Sequence, residues 1–182
     1  MKKALVNIDY TNDFVADDGK LTCGKVAQDL EGYIVNLTKE FISREDFVVF
    51  AIDMHLEGDE YHPETKLFPP HNIKGTKGRE LYGSLQSLYE LNQDNKNVHY
   101  MDKTRYSAFC GTDLHLQLRA RGIEELHLVG VCTDICILHT AVDAYNLGYK
   151  LVIHESGVQS FNAQGHEWAL THFKNSLGAI VL

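Results

Sequence analysis

The chain has 182 residues, 44% hydrophobic and 23% charged, with a formal net charge of −8. That length suits one domain over residues 1–182, removing roughly two-thirds of its unfolded surface from water. The acidic balance argues against a nucleic-acid partner, which needs clustered Lys and Arg, and no run reaches the ~20 apolar residues of a membrane span.

The first apolar run, Ala4–Ile8, is broken by Asn7 and followed by Asp9, too early for a signal segment, so a cytoplasmic location is expected. Val26, Leu30, Ile34, Leu37 and Phe41 then recur at helical spacing. Phe47–Ile52 is a second apolar run. The stretch from Met54 to about Gly83 is polar, rich in His, Glu, Gly and Pro, and has no period. A loop of that length inside a compact domain is usually functional or disordered. Val98–Met101, Leu126–Val131, Leu151–Ile153 and Ala179–Leu182 complete the short apolar runs. A second helical pattern runs through Ile137, Leu138, Ala141, Val142 and Tyr145 to Gly148. A third uses Leu170, Phe173 and Leu177 before Gly178. Near-continuous apolar strands alternating with helices predict a parallel sheet covered on both faces, an α/β fold.

In open α/β sheets ligands bind beyond the carboxyl ends of the strands. The residues at or just past the ends of the first four strands are Asp9, then Asp53 and His55, then Lys103, then GVCTDIC with Cys136 in the first turn of a helix. Thr133 is placed to cap that helix. The positive helix end and the Lys103 ammonium are both expected to lower the Cys136 thiol pKa. A lone cysteine is more often a small buried hydrophobe. Asp9 has the chemistry of a general base and Lys103 that of a fixed cation, although a turn aspartate and a surface lysine are the plain alternatives.

Asp53 and His55, two apart on an extended strand, point to one side and suit a shared cation. His62, Glu64 and His71 lie further along in HPETKLFPPH, with Pro69 and Pro70 holding the backbone extended before His71. A mixed Asp/His/His set suits Zn, Mn, Fe(II) or Co better than Mg or Ca. The plain alternative is a polar loop with surface histidines. The other histidines receive no role.

The segments NIDYTNDF, IDMH, DKTRYSAF and GVCTDIC, in this order across nearly the whole chain, resemble the isochorismatase-like hydrolases, and among them most the nicotinamidases. The resemblance implies a six-stranded parallel sheet in a three-layer α/β/α sandwich and a catalytic triad of Asp9, Lys103 and Cys136. It implies a cis peptide before Cys132 and an oxyanion hole from the amides of Cys132 and Cys136. It also implies cysteine-dependent deamidation of nicotinamide through a thioester. One divalent metal ion, zinc first with manganese or iron as alternatives, would anchor the substrate. Asp53, His55 and His71 would hold it, with Glu64 rather than His62 as fourth ligand. His62 precedes Pro63, whereas Glu64 has the longer reach and occurs as a ligand in some nicotinamidases. Phe14, Phe68 and Tyr106 are candidates to flank a flat ring, though aromatics are more often plain core. Cys132 departs from the small residue the family commonly carries there.

Two other readings stay open: a relative acting on another carboxamide or a carbamoyl group, and a metal-dependent hydrolase without a thiol nucleophile. The partner expected is a small carboxamide, with no nucleic acid and no membrane, and homo-oligomer formation stays open. Four cysteines, Cys23, Cys110, Cys132 and Cys136, are too few for a disulfide scaffold and are expected to be reduced. Under peroxide, Cys132 is the expected neighbour for an oxidised Cys136.

Overall fold

The computed structural model describes residues 1–182. Six strands, β1 (Lys2–Ile8), β2 (Phe47–Asp53), β3 (Val98–Lys103), β4 (Ile123–Val131), β5 (Lys150–Gln159) and β6 (Ile180–Val181), form one sheet in the order β3-β2-β1-β4-β5-β6. Every pairing is parallel. The helices are α1 (Asn12–Val15), α2 (Lys25–Gln28), α3 (Glu31–Ser43), α4 (Ser84–Asn92), α5 (Leu114–Ala120), α6 (Leu138–Asn146) and α7 (Ala163–Leu177). None is long and apolar enough to cross a membrane.

Strand alternation divides the core in two. Ala4, Val6 and Ile8 of β1, with Phe47, Val49 and Ala51 of β2, pack beneath α5, α6 and α7, meeting Leu118, Ala141 and Phe173. Leu5, Val48, Phe50 and Ile52 face the other way, toward Ile34 and Phe41 of α3 and Leu85 of α4. A sheet apolar on both faces needs cover on both, and this gives the three-layer α/β/α sandwich expected from the sequence.

Several elements differ from the sequence-based expectation. The helical pattern from Val26 to Phe41 is two helices, α2 and α3, separated at Asp29–Leu30, with Val26 exposed. Neither α4 nor α5 is among the expected helices. In α5 the LHLQL alternation looks strand-like, but Leu114 and Leu118 are buried while Leu116 between them is 71% exposed. That i, i+4 burial is the helical signature. β5 runs ten residues rather than three, across a register shift in its pairing with β4 between Leu128 and Gly130. β6 is shorter than Ala179–Leu182.

The direction of winding reverses between β1 and β4, which are hydrogen-bonded neighbours. Ligand crevices form beyond strand ends at such a switch point. Gly130 has φ +120°, and a Cβ there would collide with the Ile8 carbonyl oxygen, so the ends of β1 and β4 meet only with glycine at this position.

Candidate active site

Asp9 sits just past β1 with φ 55°, a left-handed conformation that Asp tolerates better than most residues. Its Oδ1 accepts the Asp53 backbone N–H at 2.8 Å, and its Oδ2 lies 2.7 Å from Lys103 Nζ. Lys103 ends β3 and is 1% exposed despite its charge. Its ammonium donates to Cys136 Sγ at 3.6 Å and to the Arg105 carbonyl at 3.2 Å, and lies 3.5 Å from Asp53 Oδ1. Four strand ends thus deliver two carboxylates, one ammonium and one thiol to a single buried point.

The electrostatics couple these groups. Burial raises Asp9 to about 6, against the opposing pull of Lys103. Burial alone would lower Lys103, but Asp9, Cys136 and Asp53 hold it well above its ordinary range. Burial pushes the Cys136 thiol well up as well, with Lys103 pulling it down and Asp9 and Asp53 adding to the rise. This overturns the expected lowering of the thiol: desolvation and two carboxylates outweigh one ammonium. Attack by the Cys136 sulfur therefore calls for a base to take the thiol proton. Asp9 and Cys136 flank the same Lys103 ammonium, which lies 2.7 Å from the one and 3.6 Å from the other.

Thr133 makes no helix cap. A wide π turn, Thr133–Ile137, precedes α6, and the Thr133 hydroxyl pairs with His166 Nδ1 at 2.8 Å instead. The Val131–Cys132 peptide is cis. The Cys132 carbonyl accepts the N–H groups of Ile135 and Ile137, fixing the turn that carries Cys136.

Beside this group, ligand atoms of Asp53, His55, Glu64 and His71 all lie within 4.8 Å of one another, and all four residues are buried. His55 Nε2 is 2.6 Å from Asp53 Oδ2, and His71 Nε2 is 3.6 Å from both Asp53 Oδ2 and Glu64 Oε2. His71 Nε2 is buried without a hydrogen-bond partner, as an atom reserved for a cation would be. Burial alone would lower His71, but the neighbouring carboxylates of Asp53 and Glu64, with the Pro69 carbonyl at Nδ1, push it up to about 10. The site calls for positive charge.

His62 lies against the cluster, its ring centroid 4.1 Å from that of His55, but its nitrogens are turned to the backbone. Its Nε2 pairs with the Thr104 carbonyl at 2.7 Å, and its Nδ1 accepts the Glu64 N–H at 3.2 Å, capping the turn Pro63–Lys66. Both nitrogens are engaged, and the short turn they start aims Glu64 inward.

Side chains with no place in the sequence reading hold the loop. Asp13 Oδ2 accepts the Asn72 N–H at 2.7 Å, and Asn72 Oδ1 accepts from the Thr11 hydroxyl at 2.9 Å. Backbone bonds from His55 to Asn72 and from Lys74 to His55 extend the β2 direction and pair His55 with Ile73, and the His71 ring lies 4.4 Å from that of His55. Arg79 donates to the carbonyls of Asp53 and Ile52 and reaches Asp102 Oδ1 at 2.6 Å. Phe14 and Phe68 both meet the His71 ring edge-on, at 5.3 and 6.2 Å between centroids. Tyr106 is half-buried against His139; its hydroxyl is raised by burial and by the charges of Glu64, Cys136 and Asp53. A cavity of ≈ 310 Å³ opens on His55, Glu64, Phe68 and His71. Cys136, 6% exposed, lies behind it rather than on its wall.

A doubly covered parallel sheet with a buried Asp–Lys–Cys group and an adjoining cluster of two buried carboxylates and two histidines at its switch point defines a hydrolase-type site. The Isochorismatase domain model matches residues 3–182, and the chain belongs to that family. It is 67% identical over 181 residues to the uncharacterized isochorismatase family protein PncA of Bacillus subtilis, covering 100% of this chain and 99% of the relative. The crystal structure of nicotinamidase/pyrazinamidase PncA from Bacillus subtilis superposes with a TM-score of 0.98 at 65% identity, covering 100% and 99% of the two chains. The nicotinamidase SaPncA from Staphylococcus aureus matches with a TM-score of 0.87 at 49% identity, again over 100% and 99%.

Proposed function

We propose that the protein hydrolyses nicotinamide to nicotinate and ammonia through a thioester on Cys136. One observation carries this reading. Lys103 Nζ lies 2.7 Å from Asp9, 3.6 Å from Cys136 and 3.5 Å from Asp53, so the thiol group and the metal cluster share one buried cation as their hinge. A fitting substrate presents an amide to the thiol and a metal-binding ring nitrogen to the cluster, as nicotinamide does. The family membership and the nicotinamidase relatives support the same substrate.

Asp9 takes the Cys136 proton as sulfur attacks the carboxamide carbon. Lys103 keeps its proton throughout and holds the negative charge that passes between Asp9 and sulfur. The amides of Cys132 and Cys136 receive the developing oxyanion. Asp9 then returns its proton to the leaving nitrogen, and ammonia departs. Water attacks the thioester with Asp9 again as base, and nicotinate leaves as the thiol reforms.

Asp53, His55, Glu64 and His71 would hold a divalent metal, zinc being the first choice for this mixed nitrogen and carboxylate set, with manganese or iron as alternatives. When bound, that ion supplies an anchor for the pyridine nitrogen. Phe14, Phe68 and Tyr106 border the ring. Purified protein supplied with metal should release ammonia and nicotinate in equal amounts from nicotinamide. Absence of both products, with turnover of another carboxamide or a carbamoyl compound, would reject the substrate.

A further inference from the structure

The cysteine beside the cis peptide has a partner on the far side of the chain from Cys136. Cys132 Sγ lies 3.5 Å from Cys23 Sγ, across 109 residues of sequence. Both thiols are free and buried. Cys23 reaches solvent through a cavity of ≈ 400 Å³ whose wall also includes Ser160, Phe161 and His166. Cys132 has no place on that wall.

We propose that Cys23 and Cys132 form a reversible disulfide when the protein meets hydrogen peroxide, and that this bond switches the enzyme off. The chemistry balances in two steps. The Cys23 thiolate attacks the peroxide; an S–O bond forms, the O–O bond breaks, and water leaves with the protons released. Cys132 sulfur then attacks Cys23 sulfur; an S–S bond forms, the S–O bond breaks, and a second water leaves. Two thiols lose two electrons and two protons, and the peroxide becomes two waters. Cys23 is the natural first reactant. It faces the cavity, and the hydrogen bond from Cys132 lowers its thiol, while Cys132 is held well above the ordinary range by that same contact and by burial. The structure adds a neighbour the sequence did not suggest: the thiol in contact with Cys132 is Cys23.

The consequence for activity rests on the nicotinamidase function proposed for this site. Closing 3.5 Å to the roughly 2.0 Å of a disulfide fixes both side chains in one geometry and transmits any misfit to the backbones that carry them. One of these residues is Cys132, whose amide is assigned to the oxyanion hole. The other is Cys23, whose N–H bonds the Phe14 carbonyl at 2.8 Å, beside the ring site. A catalytic constellation tolerates displacements of only about 0.5 Å. Loss of one oxyanion donor alone lowers turnover by about 10²–10³-fold.

The test treats purified protein with hydrogen peroxide, alkylates remaining thiols under denaturing conditions, and maps peptides without reduction. A Cys23–Cys132 linked peptide should rise in step with a loss of at least tenfold in nicotinamide hydrolysis. Dithiothreitol should reverse both. Cys23→Ser should keep its basal activity and resist the same peroxide dose. A Cys132–Cys136 disulfide, oxidation of Cys136 with Cys23 untouched, or equal sensitivity of Cys23→Ser would overturn the proposal. A linked peptide with unchanged activity would overturn the switch. If untreated protein hydrolyses no nicotinamide, the functional reading fails, while the peptide map still decides the disulfide.

Discussion

Two buried histidine pairs meet opposite fates in this molecule. At the strand-end rim, His55 and His71 lie 4.4 Å apart between Asp53 and Glu64, and the carboxylates push His71 up to about 10. On the sheet face beneath α3, His127 and His154 stand 2.8 Å apart in a chain running from the Tyr33 hydroxyl to Glu125. There burial, His127 and Lys3 push His154 down to about 4. Burial works the same way at both places; the neighbouring charge decides the outcome. The rim is built to hold positive charge, and the sheet face to exclude it. Substitutions at the rim should act on chemistry, and substitutions on the sheet face on stability.

Substitution should cost most at the thiol. Cys136→Ala should lower nicotinamide turnover by about 10⁴-fold or more, because a triad nucleophile has no substitute, while thermal unfolding changes little. Substantial residual ammonia release would break the division at its strongest point.

Lys103→Ala should blur it in a specific way. It removes the ammonium between Asp9 and Asp53 and leaves two carboxylates buried together. Breaking such a pair costs about 3–5 kcal/mol, so this one rim substitution should lower stability as well as activity. Urea denaturation of the variant checks this, and wild-type stability would contradict it.

Glu64→Ala should raise the apparent KM or lower bound metal by about 10–100-fold. His62→Ala should leave metal content closer to wild type and instead cost about 0.5–2 kcal/mol, since both His62 nitrogens are engaged by backbone although its ring packs on His55. Elemental analysis beside denaturation separates the two. The reverse order of effects in metal content would reject Glu64 as ligand.

The sheet-face pair should respond least. His154 is near 4 when folded and at its ordinary 6.5 when unfolded. The unfolded chain therefore binds more protons between those values. The stability contributed by neutral His154 is present above about pH 6.5 and lost as pH falls toward 4. Between pH 7 and 5 the loss should be about 1–2 kcal/mol, and His154→Gln should flatten that slope without changing turnover at pH 7. An unchanged slope would remove the contrast between the two pairs.

The convergence of Asp9, Lys103 and Cys136 was legible because a parallel sheet places the residue after each strand on one rim. Asp53 with His55 was legible from period-two alternation. The direction of the thiol shift was not, since it depends on how deeply Cys136 is buried and on two carboxylates brought from other strands. The loop's construction was hidden for a similar reason: Asp13, Asn72 and Arg79 hold it through contacts with distant segments and leave no periodic trace. α5 escaped because three leucines at alternate positions resemble a strand until burial shows that only Leu114 and Leu118 face inward. The Cys23–Cys132 contact joins residues whose nearness only the folded sheet creates.

The proposed chemistry stands or falls on an acyl group carried by Cys136, and nucleophile partitioning probes that group without perturbing the fold. Nicotinamide is turned over in the presence of increasing hydroxylamine, and nicotinate, nicotinohydroxamate and ammonia are measured together. With a thioester on the path, hydroxamate should appear at the expense of nicotinate from a shared intermediate, and Cys136→Ala should form neither. Nicotinate formation undiminished by hydroxylamine and retained in Cys136→Ala would show that water, not the thiol, attacks the amide.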